Sequence, residues 1–275
     1  GYKYAVQTIG VGSRYQLSAL DMVKAIDPNA KNVALLFKDD EFSRTVMKGA
    51  KERIAKLDLK IVFERTYPTD AKDLTPALTE MKAKNPDILI GGGHFADGQL
   101  LAKQMGDLGI EGKAASILVA PSLPDFGKAM GKQANGFLSP AHWEIGAKFS
   151  PKTSQGIGAG YFGPTQEDFI AEFKKVSKGV DPEYHAANSI AAILTYVKAI
   201  ELADSLDVDK VRAVMNGLHF VPFYGEWGID PATGKQVKHQ MVLIQWQNGK
   251  KEIVWPPEAQ TARPCYPMAA CPGRK

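Results

Sequence analysis

Over the first half of this chain, a short apolar run and an amphipathic stretch alternate about every 25 to 30 residues, the rhythm of βαβ units. Val33–Phe37 (VALLF) is the clearest buried strand; Leu59–Glu64, Ile88–Ile90 and Ala114–Val119 follow it, and Tyr4–Thr8 is a candidate ahead of it. Between them the spacing predicts helices over Tyr15–Ile26, Ser43–Leu57, Leu74–Lys84 and Gln99–Leu108. Strands this uniformly apolar are buried on both faces, as in a parallel sheet sandwiched between helices. Right-handed crossovers then bring the carboxyl ends of the strands to one rim. Open α/β sheets bind ligands there.

The stretch Asn85–Leu108 (NPDILIGGGHFADGQLLAKQMGDL) is the richest of these rims. Gly91-Gly92-Gly93 reads as a turn whose backbone amides can approach a ligand, because no Cβ intervenes. His94 and Phe95 follow at once, so both are expected at a bound solute, with Phe95 offering apolar area. Ser13, in TIGVGS after the first strand, either meets a polar ligand together with Arg14 or caps the next helix. Ser122, in APSLP after Ala114–Val119, can offer a hydroxyl, cap a helix, or do both. Asp39-Asp40-Glu41-Phe42 reads as acids placed favourably against a helix dipole.

After Phe137 the rhythm stops. Leu138–Gly163 carries no helical period, and its aromatics Trp143, Tyr161 and Phe162 form either a lid over the site or a self-packed loop. Trp143 is expected to be exposed unless something covers it, and is counted with the ligand contacts. Helices are predicted over Thr165–Ser177, Tyr184–Leu202 and Val208–Leu218, apolar enough to need a sheet that few nearby strands supply. His239–Gln247 and Glu252–Trp255 flank Asn248-Gly249 as a β-hairpin. The tail holds both cysteines, Cys265 and Cys271, among Pro264, Pro267 and Pro272. They suit a small disulfide loop in an oxidising compartment; the other reading is two free thiols in a frayed terminus.

Composition narrows the function. With 44% apolar residues in 275, the chain can build a substantial core. A formal charge of +4, interleaved with acids and lacking a basic stripe, argues against nucleic acid. No apolar run has the length of a membrane span. Gly1-Tyr2-Lys3-Tyr4 reads as the start of a strand rather than a signal peptide, as in a mature or trimmed product. There is no Gly-x-Gly-x-x-Gly after a strand, no phosphate loop and no His-Glu-x-x-His. The five histidines, 94, 142, 185, 219 and 239, share no metal-ligand spacing. The expectation is binding without catalysis, with no metal and no cofactor.

The order VALLFKDDEFSR, then VFERTYPTDAKDLTPALTEMKAKNPDILIGGGHFADGQLLAKQMGDLG, PEYHAANSIAAILTYVKAIELA, GEWGIDPATGKQ and the hairpin with Gln245-Trp246 resembles the substrate-binding proteins of branched-chain amino acid-type ABC importers. The likeness covers nearly all of positions 1–255. It implies a type I periplasmic binding fold: two doubly wound α/β lobes joined by a three-segment hinge. Residues 8–138, completed by 238–256, would form the second lobe; 143–220 would be the helical remainder of the first, and 257–275 a proline-rich tail. The family's segment ahead of such a chain would supply the rest of the first lobe. The resemblance places ligand contacts at His94-Phe95 and near Pro121-Ser122. Amino-acid binders put a carboxylate at the latter site and this chain has Pro-Ser, so other small carboxylates join amino acids as expected solutes. A membrane permease would be the partner and the periplasm, or another extracytoplasmic face, the location. The alternative on the same architecture is the ligand-sensing domain of a receptor or transcriptional regulator.

Overall fold

A computed structural model describes residues 2–274. The chain forms two compact units and passes between them three times, at Val11/Gly12, Ala141/His142 and Met241/Val242. One unit holds Gly12–Ala141 and the chain from Val242 onward; the other holds the chain up to Val11 and His142–Met241.

The first of these is the repeated βα unit. Its elements run α1 (Leu17–Ile26), β1 (Asn32–Lys38), α2 (Glu41–Lys56), β2 (Lys60–Tyr67), α3 (Thr75–Ala83), β3 (Ile88–Gly92), α4 (Phe95–Asp107), β4 (Ala114–Ile117), α5 (Pro124–Met130) and β5 (Phe137–Ala141). In β1 the five residues Val33–Phe37 are completely buried, each Leu or Phe contributing ~1.5–3 kcal/mol over an exposed position. Asp40 starts α2 by accepting from Ser43 N at 2.7 Å. That helix buries Ser43, Val46, Ala50 and Ile54, a face with three- to four-residue spacing.

The other unit continues with α6 (Pro151–Ile157), β6 (Gly160–Tyr161), α7 (Gln166–Val176), α8 (Tyr184–Ala203), α9 (Val208–Gly217) and β7 (Phe220–Val221). Helix α8 buries Ala187, Ala191, Thr195 and Ala199, a stripe of small residues four apart. Ala199 joins Val211, Met215, Leu218, Phe220, Trp227 and Ile229 in one core. Among the described residues the sheet in this unit is the two-residue pair β6–β7, with isolated bridges beside it. Accordingly Ile193, Tyr196 and Leu202 of α8 stay exposed. By length and composition α8 is long and apolar enough to cross a membrane, against the expectation that no run has that length.

The chain then returns to the first unit with β8 (Val242–Gln247) and β9 (Lys250–Trp255). The sheet order is β2-β1-β3-β4-β5-β8-β9; β1 to β5 run parallel, and β8 and β9 are antiparallel. Asn248 and Gly249 turn the hairpin with φ of 49° and 74°, the double left-handed conformation of a type I′ turn. Beyond it the tail crosses the amino ends of the strands. Met268 N donates to Lys113 O at 2.8 Å, and Asn135 Nδ2 to Gly273 O at 2.8 Å. Tyr266 donates to Asp27 at 2.7 Å; that bond, with Lys113 alongside, lowers the Asp27 carboxyl to about 2. Cys265 and Cys271 are joined as a disulfide.

Two expectations are corrected. Tyr4–Thr8 forms no strand: Gln7 N donates to Gly234 O at 2.8 Å, but a five-residue segment becomes a strand only where an edge offers a full ladder. Leu138–Gly163 is not one loop. It contains the end of β5, and α6 is launched by Ser150 accepting from Thr153 N, with Pro151 in the first turn and left-handed Gly158 at its end. At seven residues α6 is too short to display a period.

Candidate functional site

The chain leaves β1 for β2 on one side and then crosses to β3 on the other. That reversal makes the β1/β3 boundary the switch point of the sheet, the place at which open α/β sheets take ligands. The loop after β1 is Asp39-Asp40, and the one after β3 is Gly93-His94.

These loops meet. His94 Nε2 lies 3.6 Å from Asp40 Oδ2, and the His94 side chain is 60% exposed. Its ring stacks on Phe42 with centroids 5.5 Å apart, and Phe42 receives the edge of Tyr15 at 5.2 Å. With Asp40 Oδ1 committed to Ser43 N, Oδ2 is buried without a hydrogen-bond partner. The wall is therefore an aromatic–imidazole stack beside a carboxylate oxygen that pairs with the His94 ring but takes no hydrogen bond. Beneath it, Asp97 Oδ2 accepts from His94 N at 3.0 Å and from Lys38 Nζ at 3.1 Å. Tyr67, at the end of β2, has a buried hydroxyl with no partner. Burial first, then Asp97 and Asp40, push that phenol far above its ordinary value, so it stays protonated.

The glycines do a different job from the one expected. Gly91 and Gly92 belong to β3. A Cβ on Gly91 would lie 2.1 Å from Leu36 O in β1, and one on Gly92, with φ +102°, would lie 3.1 Å from Leu118 N. Their missing side chains make room for neighbouring strands rather than for a ligand.

The loop after β4 is a third wall. Ala120 N donates to Leu118 O at 2.7 Å around Val119, whose φ is +62° and ψ −57°. This γ-turn is a strained conformation for a β-branched residue, costing of order 1–3 kcal/mol. Three bonds hold it. Ser122 Oγ donates to Val119 O at 2.7 Å, Trp246 Nε1 to Pro121 O at 2.7 Å, and Lys251 Nζ to Ser122 O at 3.0 Å. The hairpin thus braces the rim.

Of the expected contacts, His94 stands at the crevice and Phe95 opens α4 beside it, half-buried. Ser13 lies in a 3-10 turn, Gly12–Arg14, so close to α2 that a Cβ on Gly49 would meet its carbonyl oxygen at 1.9 Å. Gln16, not Ser13, precedes α1, and it makes no side-chain cap. Ser122 is 2% exposed and its hydroxyl closes its own turn; Leu123, not Ser122, holds the N-cap position of α5, without a side-chain cap. Trp143 belongs to the other unit. It is 1% exposed, set edge-on to Phe169 and Phe223, and serves there as core. Asp40, Phe42 and Tyr67 were not expected at the site; their signal is the strand order, which fixes where the crevice opens. Among the described residues no group of three or more His, Cys, Asp or Glu is placed to hold a metal ion.

Residues 5–251 match a family model described as periplasmic binding protein. The Leu/Ile/Val-binding protein homolog 7 of Brucella suis is 20% identical over 239 residues, 85% of this chain and 57% of its own length. The chain thus spans somewhat over half of that curated relative. A leucine-binding protein LivK from Thermotoga maritima superposes with a TM-score of 0.73 at 20% identity, covering 94% of this chain and 69% of its own. A solute-binding protein of an ABC transporter from Rhodopseudomonas palustris, solved with 3,4-dihydroxybenzoic acid, gives a TM-score of 0.65 at 21% identity, over 90% of this chain and 64% of its own.

Proposed function

This chain belongs to the periplasmic binding protein family, and on that premise we propose that it binds a small polar solute, an amino acid or a related carboxylate, at the β1/β3/β4 rim. It does so without making or breaking bonds, on the extracytoplasmic side of a membrane, as the binding component of an ABC importer whose permease receives the solute. The observation that carries this reading is the Phe42–His94 stack over Asp40 at the switch point of the sheet. A stacked pair supplies apolar and polarizable area, and a carboxylate oxygen with no internal hydrogen bond supplies one directional contact, the usual make-up of a small-molecule site. The names of the relatives, Leu/Ile/Val-binding on one side and a dihydroxybenzoate complex on the other, support a solute class spanning amino acids and aromatic acids.

His94 and Phe42 act as the wall and Asp40 as the polar anchor, with Ser13 and Phe95 framing them. Ser122 contributes by shaping the turn. Trp143 contributes as core of its unit, and the Cys265–Cys271 bond by closing a small loop within the tail.

Calorimetric titration of the purified protein with branched-chain amino acids and with hydroxybenzoates is expected to give one saturable isotherm, with no new product by mass spectrometry. Phe42→Ala and His94→Ala should each weaken it by about tenfold or more, the effect of losing ~1.4 kcal/mol or more of contact. Silence toward both classes with the fold intact, or conversion of the solute, would contradict the proposal.

A further inference from the structure

The three segments that link the units meet two buried histidines. A Cβ on Gly10, next to the first crossing, would lie 3.2 Å from His142 Cε1 and 3.5 Å from His239 Cδ2. His142 is itself the first residue after the second crossing, and His239 stands just ahead of the third. The two imidazoles are 5.3 Å apart, each about 1% exposed, and His239 Nε2 is 3.0 Å from His142 O. Tyr224 stacks on His239 at 4.8 Å, and Tyr184 at the start of α8 flanks His142 at 5.8 Å.

We propose that His142 and His239 form a pH-sensitive clasp on the three connecting segments: neutral, they pack the connectors together, and on acidification charging of the pair loosens them.

The surroundings fit this role. From α8 the titratable groups are Tyr184 and His185, the latter 2.6 Å from Glu183. From the loop after β7 it is Tyr224, with Glu226 engaged by His219 at 2.7 Å. From the third connector it is Lys238, and from the second Glu144, whose carboxylate accepts from Ile145 N at 3.2 Å. Burial first, then His239 and His185, hold His142 well below the ordinary histidine range. The packed form therefore keeps neutral imidazole. Its advantage is intact above the usual value of about 6.5 and is lost as pH falls below it, because the opened form then takes up protons that the packed form refuses. Two imidazolium charges at this separation in a buried site repel strongly. Histidine is the side chain that titrates in this window.

The test is hydrogen exchange with peptide resolution between about pH 7.5 and about pH 5.5, corrected for the intrinsic rate. Peptides spanning residues 9–12, 140–143 and 238–242 are expected to open about tenfold or more beyond the rest of their units at the lower pH, and the excess should fall below about twofold in His142→Gln/His239→Gln. Absence of the excess in the natural chain overturns the clasp. So does its persistence in the double variant, or uniform opening of the whole unit. Should the double variant not fold, NMR titration of the two imidazoles in the natural chain decides. Protonation in step with connector opening supports the clasp, and rings that stay neutral while the connectors open overturn it.

Discussion

Trp246→Ala is expected to destabilise the chain by about 4 kcal/mol, the upper range for truncating a large buried aromatic. The ring is 5% exposed and sits on α5 so tightly that a Cβ on Gly127 would come within 2.1 Å of it. Truncation leaves that space empty, and the collapse of a helix onto a strand across such a gap is incomplete. It also strands Pro121 O, whose donor is Trp246 Nε1 at 2.7 Å. Trp246→Phe separates the two effects: most of the packing remains and the loss should shrink to about 1 kcal/mol, the value of the hydrogen bond. Urea unfolding followed by circular dichroism measures both. Equal losses in the two variants would contradict the division. Because the bond braces the strained turn at Val119, either variant should also weaken solute binding by more than its stability loss alone produces.

The second large effect is expected at Gly91. Leu36 and Gly91 are register partners on adjacent parallel strands, and both are buried. An added methyl would be 2.1 Å from the Leu36 carbonyl oxygen, a backbone atom in the centre of the sheet that no rotamer change relieves. Gly91→Ala should therefore cost about 3 kcal/mol or abolish folding, the severe end of overpacking. The same substitution at Gly156 of α6, where nothing lies within 4 Å, should be neutral or stabilising by up to about 1 kcal/mol. Comparable behaviour of the two variants would show that the β1–β3 approach is looser than described.

Periodicity made most of the α/β unit legible. The apolar run VALLF became β1, and helices over Ser43–Leu57 and Leu74–Lys84 appear as α2 and α3 with ends moved by a residue or two. Asn248-Gly249 announced its hairpin because that dipeptide adopts the left-handed conformations the turn demands. What periodicity lacks is spatial order. Nothing in the sequence order β1, β2, β3 says that β1 lies between the other two, so Asp40 and Phe42 read as an ordinary helix start. Only the order β2-β1-β3 turns that start into a wall of the crevice. Ser122 illustrates a second limit: a hydroxyl at a rim is equally suited to a ligand or to its own turn, and here Val119 O takes it. Trp143 illustrates a third, because the rings that cover it, Phe169 and Phe223, come from 26 and 80 residues later in the chain.

The most direct test is to follow the backbone amides of the isotopically labelled protein by NMR while adding leucine or 3,4-dihydroxybenzoate. Solute docking at the carboxyl rim of the sheet predicts saturable shifts concentrated at residues 39–42, 92–95 and 118–122. Shifts concentrated instead along the apolar groove of Tyr196, Ile200, Leu206 and Met215, with that rim unmoved, would contradict it.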